Sequence, residues 1–117
     1  IVITDGHKVI AVTAVSPEEV IGVNSRKQLS ECSKIMQKRV QDWFMDNGVT
    51  IVDPPNTWID ARVEIGQDSV IEPFTCIYGK VKIGSNCRVG PFVCLNDGAV
   101  IEDGSTTGVF KDISKYP

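Results

Sequence analysis

Between Thr57 and Phe110 the apolar positions recur every six residues. Ile59, Ile65, Ile71, Ile77, Ile83, Val89, Leu95 and Ile101 keep the step without a break, and at Thr107 the position holds but the aliphatic group is lost. Two places before each of these stands a smaller residue: Thr57, Val63, Ser69, Thr75, Val81, Cys87, Val93, Ala99 and Ser105. The place after is mostly polar or turn-forming, as at Asp60, Gly66, Glu72, Gly84, Gly90, Asn96, Glu102 and Gly108. A period of six fits neither the 3.6 of an amphipathic helix nor the 2 of a strand, and it marks a parallel β-helix in which each hexapeptide forms one short strand and one corner. Both the aliphatic and the smaller residue point into the prism, whose narrow interior cannot hold two bulky groups per side. Three hexads close a triangular coil, so nine make about three coils, none of which buries its open faces alone. Glycine at the corners is expected to permit dihedrals that a Cβ obstructs.

Residues eighteen apart should then stack one strand spacing, about 4.8 Å, from each other. Phe74, Phe92 and Phe110 should form a ladder at one corner. Glu64 should sit over Lys82 on another side, and Trp58, Cys76 and Cys94 should make an outward column. An outward apolar column is either a surface for a partner or packing for the chain's own helix.

Ahead of the repeat the pattern changes twice. Ile1 to Thr4 and Lys8 to Val15 flank Asp5-Gly6, a hairpin signal, and Ser16-Pro17-Glu18-Glu19 opens a short helix ending at Gly22. From Asn24 or Ser25 to about Asp46, Leu29, Cys32, Met36, Val40, Trp43 and Phe44 recur at three and four, which predicts a helix with one buried stripe closed by Asn47-Gly48. The segment 48–56, with Pro54-Pro55, reads as an extended connector. The resulting division is 1–24 as the end of another domain, 25–47 a linker helix, 48–56 the connector, 57–110 the β-helix and 111–117 a tail. A lone hairpin wants a larger sheet, and the chain opens Ile1-Val2-Ile3, so a piece of a longer protein is expected.

Composition narrows the function. A formal charge of −3 over 117 residues, with no basic cluster, argues against nucleic acid binding, and no apolar run is long enough to cross a membrane. Cys32, Cys76, Cys87 and Cys94 lack metal-ligand spacing, and the single histidine, His7, lies beside the hairpin turn, which excludes a zinc site and a Ser/His/Asp set within the repeat. Cys87 reads as a core thiol, and Cys76 and Cys94 as free thiols close enough to bond. Asp60, Glu72 and Glu102 fall at corners of separate hexads, so a paired-carboxylate site is the minority reading.

Glu18-Glu19-Val20-Ile21-Gly22-Val23-Asn24-Ser25-Arg26-Lys27-Gln28-Leu29, then Gly48-Val49-Thr50-Ile51-Val52-Asp53-Pro54, then Trp58-Ile59-Asp60 and Val63-Glu64-Ile65-Gly66 resemble the bifunctional bacterial N-acetylglucosamine-1-phosphate uridyltransferase/glucosamine-1-phosphate N-acetyltransferase family. The resemblance runs from about Asp5 to Gly90 and implies the join between that family's two domains, with a left hand for the β-helix, a homotrimer and a bacterial cytoplasmic setting. It implies acetyl transfer from acetyl-CoA and uridylyl transfer from UTP in the making of UDP-N-acetylglucosamine. By the same resemblance Asn24 is a Mg²⁺ ligand near the nucleotide-sugar phosphates, an amide oxygen suiting a hard cation, and its other reading is a helix N-cap. Neither half-reaction has its full residue set in this chain, so no catalytic residue and no bound cofactor are expected for it alone, and nucleotide sugar only with the upstream domain. Two other readings remain: a non-catalytic trimerising module, and a small stand-alone acyltransferase using His7 or a non-histidine base.

Overall fold

A computed structural model describes residues 25–108 and 111–113. The hairpin, the short helix, His7, Asn24 and Phe110 lie outside the described residues. Helix α1 (Arg26–Asp46) leads into ten short strands: β1 (Thr50–Ile51), β2 (Thr57–Ile59), β3 (Glu64–Ile65), β4 (Val70–Ile71), β5 (Thr75–Ile77), β6 (Lys82–Ile83), β7 (Arg88–Val89), β8 (Val93–Leu95), β9 (Val100–Ile101) and β10 (Lys111–Ile113). They form three parallel sheets, ordered β1-β4-β7, β10-β8-β5-β2 and β3-β6-β9. From β1 to β9 successive strands go to the three sheets in turn, so the chain is a parallel β-helix, in keeping with the left-handed hexapeptide-repeat fold expected.

The expected register holds. Thr75 pairs with Thr57, Lys82 with Glu64, Arg88 with Val70 and Lys111 with Val93. Burial follows the hexads as read: Ile59, Ile71, Ile77, Val89 and Leu95 are wholly buried, as are Val63, Ser69 and Thr75 from the smaller set. Ile65 is only partly buried against this core. Phe74 and Phe92 stack as anticipated, with ring centroids 5.1 Å apart and planes within 6°.

The stretch expected as an extended connector also contributes to the prism. Val49 and Ile51 are buried, and β1 pairs with β4 across a twenty-residue step, Thr50 to Val70, where later coils step by eighteen. The surplus accommodates a 3-10 turn at Pro54–Asn56, a place where proline needs no N–H partner.

Two sequence expectations need correction. Leu29 does not belong to the buried stripe of α1: it is 51% exposed, and the helix buries Val40, Gln41 and Phe44 in its C-terminal half. Gly66 and Gly84 serve proximity, not unusual dihedrals. A Cβ on Gly66 would stand 2.6 Å from the Ser85 nitrogen, and one on Gly84 would stand 2.7 Å from that of Asp103. Positive φ within the repeat is shared between glycines (Gly79, Gly90, Gly98 and Gly104) and the non-glycine residues Asp68, Phe74, Asn86 and Phe92, whose φ lies between 57° and 66°; aspartate and asparagine tolerate that region, and the phenylalanines gain their stack in it. At Gly90, φ of 93° bears out the original reading.

Candidate functional site

Helix α1 begins at Ser25, whose Oγ accepts from the Gln28 amide at 3.2 Å, and ends where Asn47 caps it and Gly48 turns left-handed at φ 91°. Its C-terminal half lies against the first coil and is fastened there by amides. Gln37 donates from Nε2 to the Ile59 carbonyl at 2.7 Å and accepts from the Ile59 amide at 2.9 Å, as a neighbouring strand would. Gln41, one turn on and 2% exposed, donates to the Thr57 carbonyl at 2.7 Å and to Oε1 of Gln37 at 3.0 Å. β2 is the last strand of its sheet, and these two glutamines occupy the edge groups a further strand would take.

Beneath the helix runs a groove of about 530 Å³ between α1 and the first coil. Met36, Val40, Trp58 and Ala61 supply its apolar lining, and Ser33, Asp60, Arg62 and Lys80 its polar lining. Trp58 thus faces the chain's own helix, one of the two uses anticipated for the outward column, while Cys76 and Cys94 continue that column half-buried.

Asp60 is fully engaged. Its Oδ1 accepts from the Arg62 amide at 2.9 Å and from Nε at 3.0 Å, while Oδ2 accepts from Nη2 at 2.9 Å and from the Gly79 amide at 3.2 Å. Burial alone would push this carboxyl up, but the Arg62 guanidinium and the two amides outweigh it and hold Asp60 below the ordinary carboxylate value. A carboxylate so occupied holds a corner and leaves no lone pair for proton transfer. Glu72 lies 3.3 Å from Arg88, and Glu102 stands at another corner, so the three corner carboxylates are not brought together. Among the described residues no group of three or more His, Cys, Asp or Glu is placed to hold a metal, and no helix is long and apolar enough to cross a membrane. Burial and a hydrogen bond with the Cys76 thiol push the Tyr78 phenol up, so it stays protonated at neutral pH.

Sequence reasoning missed Gln37 and Gln41. The available signal was a pair of amides at i and i+4 on the flank of the stripe formed by Met36, Val40 and Phe44.

A stacked prism with hexapeptide corners is the architecture of a class of transferases, and residues 62–97 match the family described as bacterial transferase hexapeptide (six repeats). Proteins named "Bifunctional protein GlmU" extend the likeness to individual residues. That of Caldanaerobacter subterraneus subsp. tengcongensis is 57% identical over 68 residues, 58% of this chain and 15% of that protein. The Listeria welshimeri protein is 61% identical over 56 residues (48% of this chain, 12% of that protein), and the Clostridium tetani protein 55% over 69 (59% and 15%). Over the matched stretch the chain is similar to the bifunctional GlmU proteins. The match spans about a seventh of those proteins' length.

Proposed function

We propose that this polypeptide is the junction of a sugar-nucleotide transferase of the GlmU kind, in which α1 joins a nucleotidyltransferase part to the β-helix of an acetyltransferase part. The observation that carries this reading is the pairing of Gln37 and Gln41 with the first coil, which ties the helix rigidly to the repeat. The substrates are acetyl-CoA with glucosamine 1-phosphate for one step, and UTP with N-acetylglucosamine 1-phosphate for the other. Asn24 serves as a Mg²⁺ ligand in the presence of the upstream domain, and the β-helices associate as a homotrimer in the bacterial cytoplasm. Support for these finer points is the sequence likeness to the GlmU proteins. By itself the chain is expected to turn over neither substrate pair, because by the resemblance neither half-reaction has its full residue set in it.

Incubating the purified chain with each substrate pair and Mg²⁺, alongside sedimentation equilibrium, tests this. A trimer without turnover is expected. Acetyl transfer by the chain alone would overturn the junction reading in favour of a stand-alone acyltransferase, and a monomer would remove the trimer.

A further inference from the structure

On the outer surface of the sheet that contains β5 and β8, Cys76 stands directly opposite Cys94 in parallel register. Both are half-buried thiols. The Cys94 Sγ lies 3.9 Å from Oδ1 of Asn96, the residue two places on, and Cys76 holds the equivalent position one coil earlier. Tyr78 and Asn96 are equivalent positions in successive coils, eighteen residues apart. Side chains in parallel register that lean the same way are related by a translation along the prism, so their sulfurs are separated by about one strand spacing, ~4.8 Å. That translation disfavours a disulfide, which needs an S–S bond of about 2.05 Å and Cβ atoms about 3.5–4.5 Å apart. It leaves room for one metal ion between the sulfurs, since two metal–thiolate bonds in line, at about the 2.3 Å of a zinc–sulfur bond, span roughly 4.6 Å.

We propose that Cys76 and Cys94 form a two-thiolate site for a soft, monovalent d10 cation of the Cu(I) and Ag(I) class, bridging the second and third coils. Paired thiolates select such ions over hard cations. On binding, both S–H bonds break, two S–metal bonds form, and two protons pass to solvent. No electron is transferred, and the metal keeps its charge. Trp58 lies one coil earlier in the same column, and the stacked rings of Phe74 and Phe92 stand at the preceding corner.

The test is an anaerobic titration of the reduced full chain with Ag(I), followed by native mass spectrometry and competition with a soluble chelator. One ion per chain is expected, with affinity lowered more than about tenfold in Cys76→Ser and in Cys94→Ser and unchanged in Cys32→Ser. In the unsubstituted protein, bound Ag(I) should protect Cys76 and Cys94, but not Cys32, from alkylation, a readout independent of how the variants fold. Undiminished stoichiometry in the doubly substituted chain, two singly held ions, or ready closure of the pair to a disulfide by oxidised glutathione would each overturn the proposal.

Discussion

Gln37 hydrogen-bonds both the amide and the carbonyl of Ile59, so one helical side chain makes the two bonds that a neighbouring β-strand would otherwise make to that residue at the end of the prism. Gln37→Ala removes both bonds and leaves buried backbone groups without partners, a cost of about 1–3 kcal/mol. The exposed edge of β2 should then recruit other chains. Urea unfolding and light scattering check the two effects, and unchanged values in both would mean that water replaces the glutamine without loss.

The inward register makes a sharp contrast between neighbours. Ile83 is 4% exposed and Lys82 points outward. Ile83→Ala should cost about 2–5 kcal/mol, and Lys82→Ala should stay within about 0.5 kcal/mol. Denaturant midpoints for the pair test the register itself.

Two buried hydroxyls differ in worth. Ser69 Oγ donates to the Gly84 carbonyl at 2.6 Å and accepts from the Cys87 amide at 3.1 Å, stitching adjacent coils. Ser69→Ala strands both and should cost about 1–3 kcal/mol. Oγ1 of Thr75 has no hydrogen-bond partner among the described residues, so Thr75→Val should be neutral or stabilising by thermal melting.

Asp60 gives the fold a pH dependence of known sign. Its folded pKa lies below the ordinary 3.8, so its contribution is complete above that value and fades as pH falls through the lower folded one. Asp60→Asn should cost about 1 kcal/mol at neutral pH. The gap between the two proteins' stabilities should narrow in strong acid. A gap that held constant with pH would assign the effect to packing.

Gly84→Ala should be disruptive, since the added carbon would press on the backbone of Asp103 in the next coil. The cost arises between coils, so unfolding should begin there, and hydrogen exchange at the Gly84 amide, bonded to the Ile101 carbonyl, should quicken.

The period of six carried most of the fold. Which residues face inward, which stack at eighteen, and where α1 ends follow from spacing alone, as Ile77, Phe74 over Phe92, and Gly48 show. Gln37 and Gln41 were hidden because a hydrophobic pattern scores an amide as surface, and only the strand edge opposite makes its burial favourable. Leu29 misled for the converse reason: periodicity marks an apolar face but not how far the neighbouring surface extends along it. Glycines at corners suggested dihedral freedom, whereas the limit at Gly66 and Gly84 is the distance to a coil eighteen residues away, which no local pattern reports. Asn24 was suggested as a Mg²⁺ ligand by the resemblance alone, and it lies outside the described residues.

The twenty-residue step from Thr50 to Val70, followed by steps of eighteen, separates two ways in which such a chain can change length. Extra residues at a corner can loop outward, as Pro54–Asn56 does, without disturbing any column. Within a wall, only the gain or loss of a whole turn preserves which residues face inward. Descendants of this chain can therefore diverge freely at the vertices but must lengthen or shorten the prism itself in complete coils.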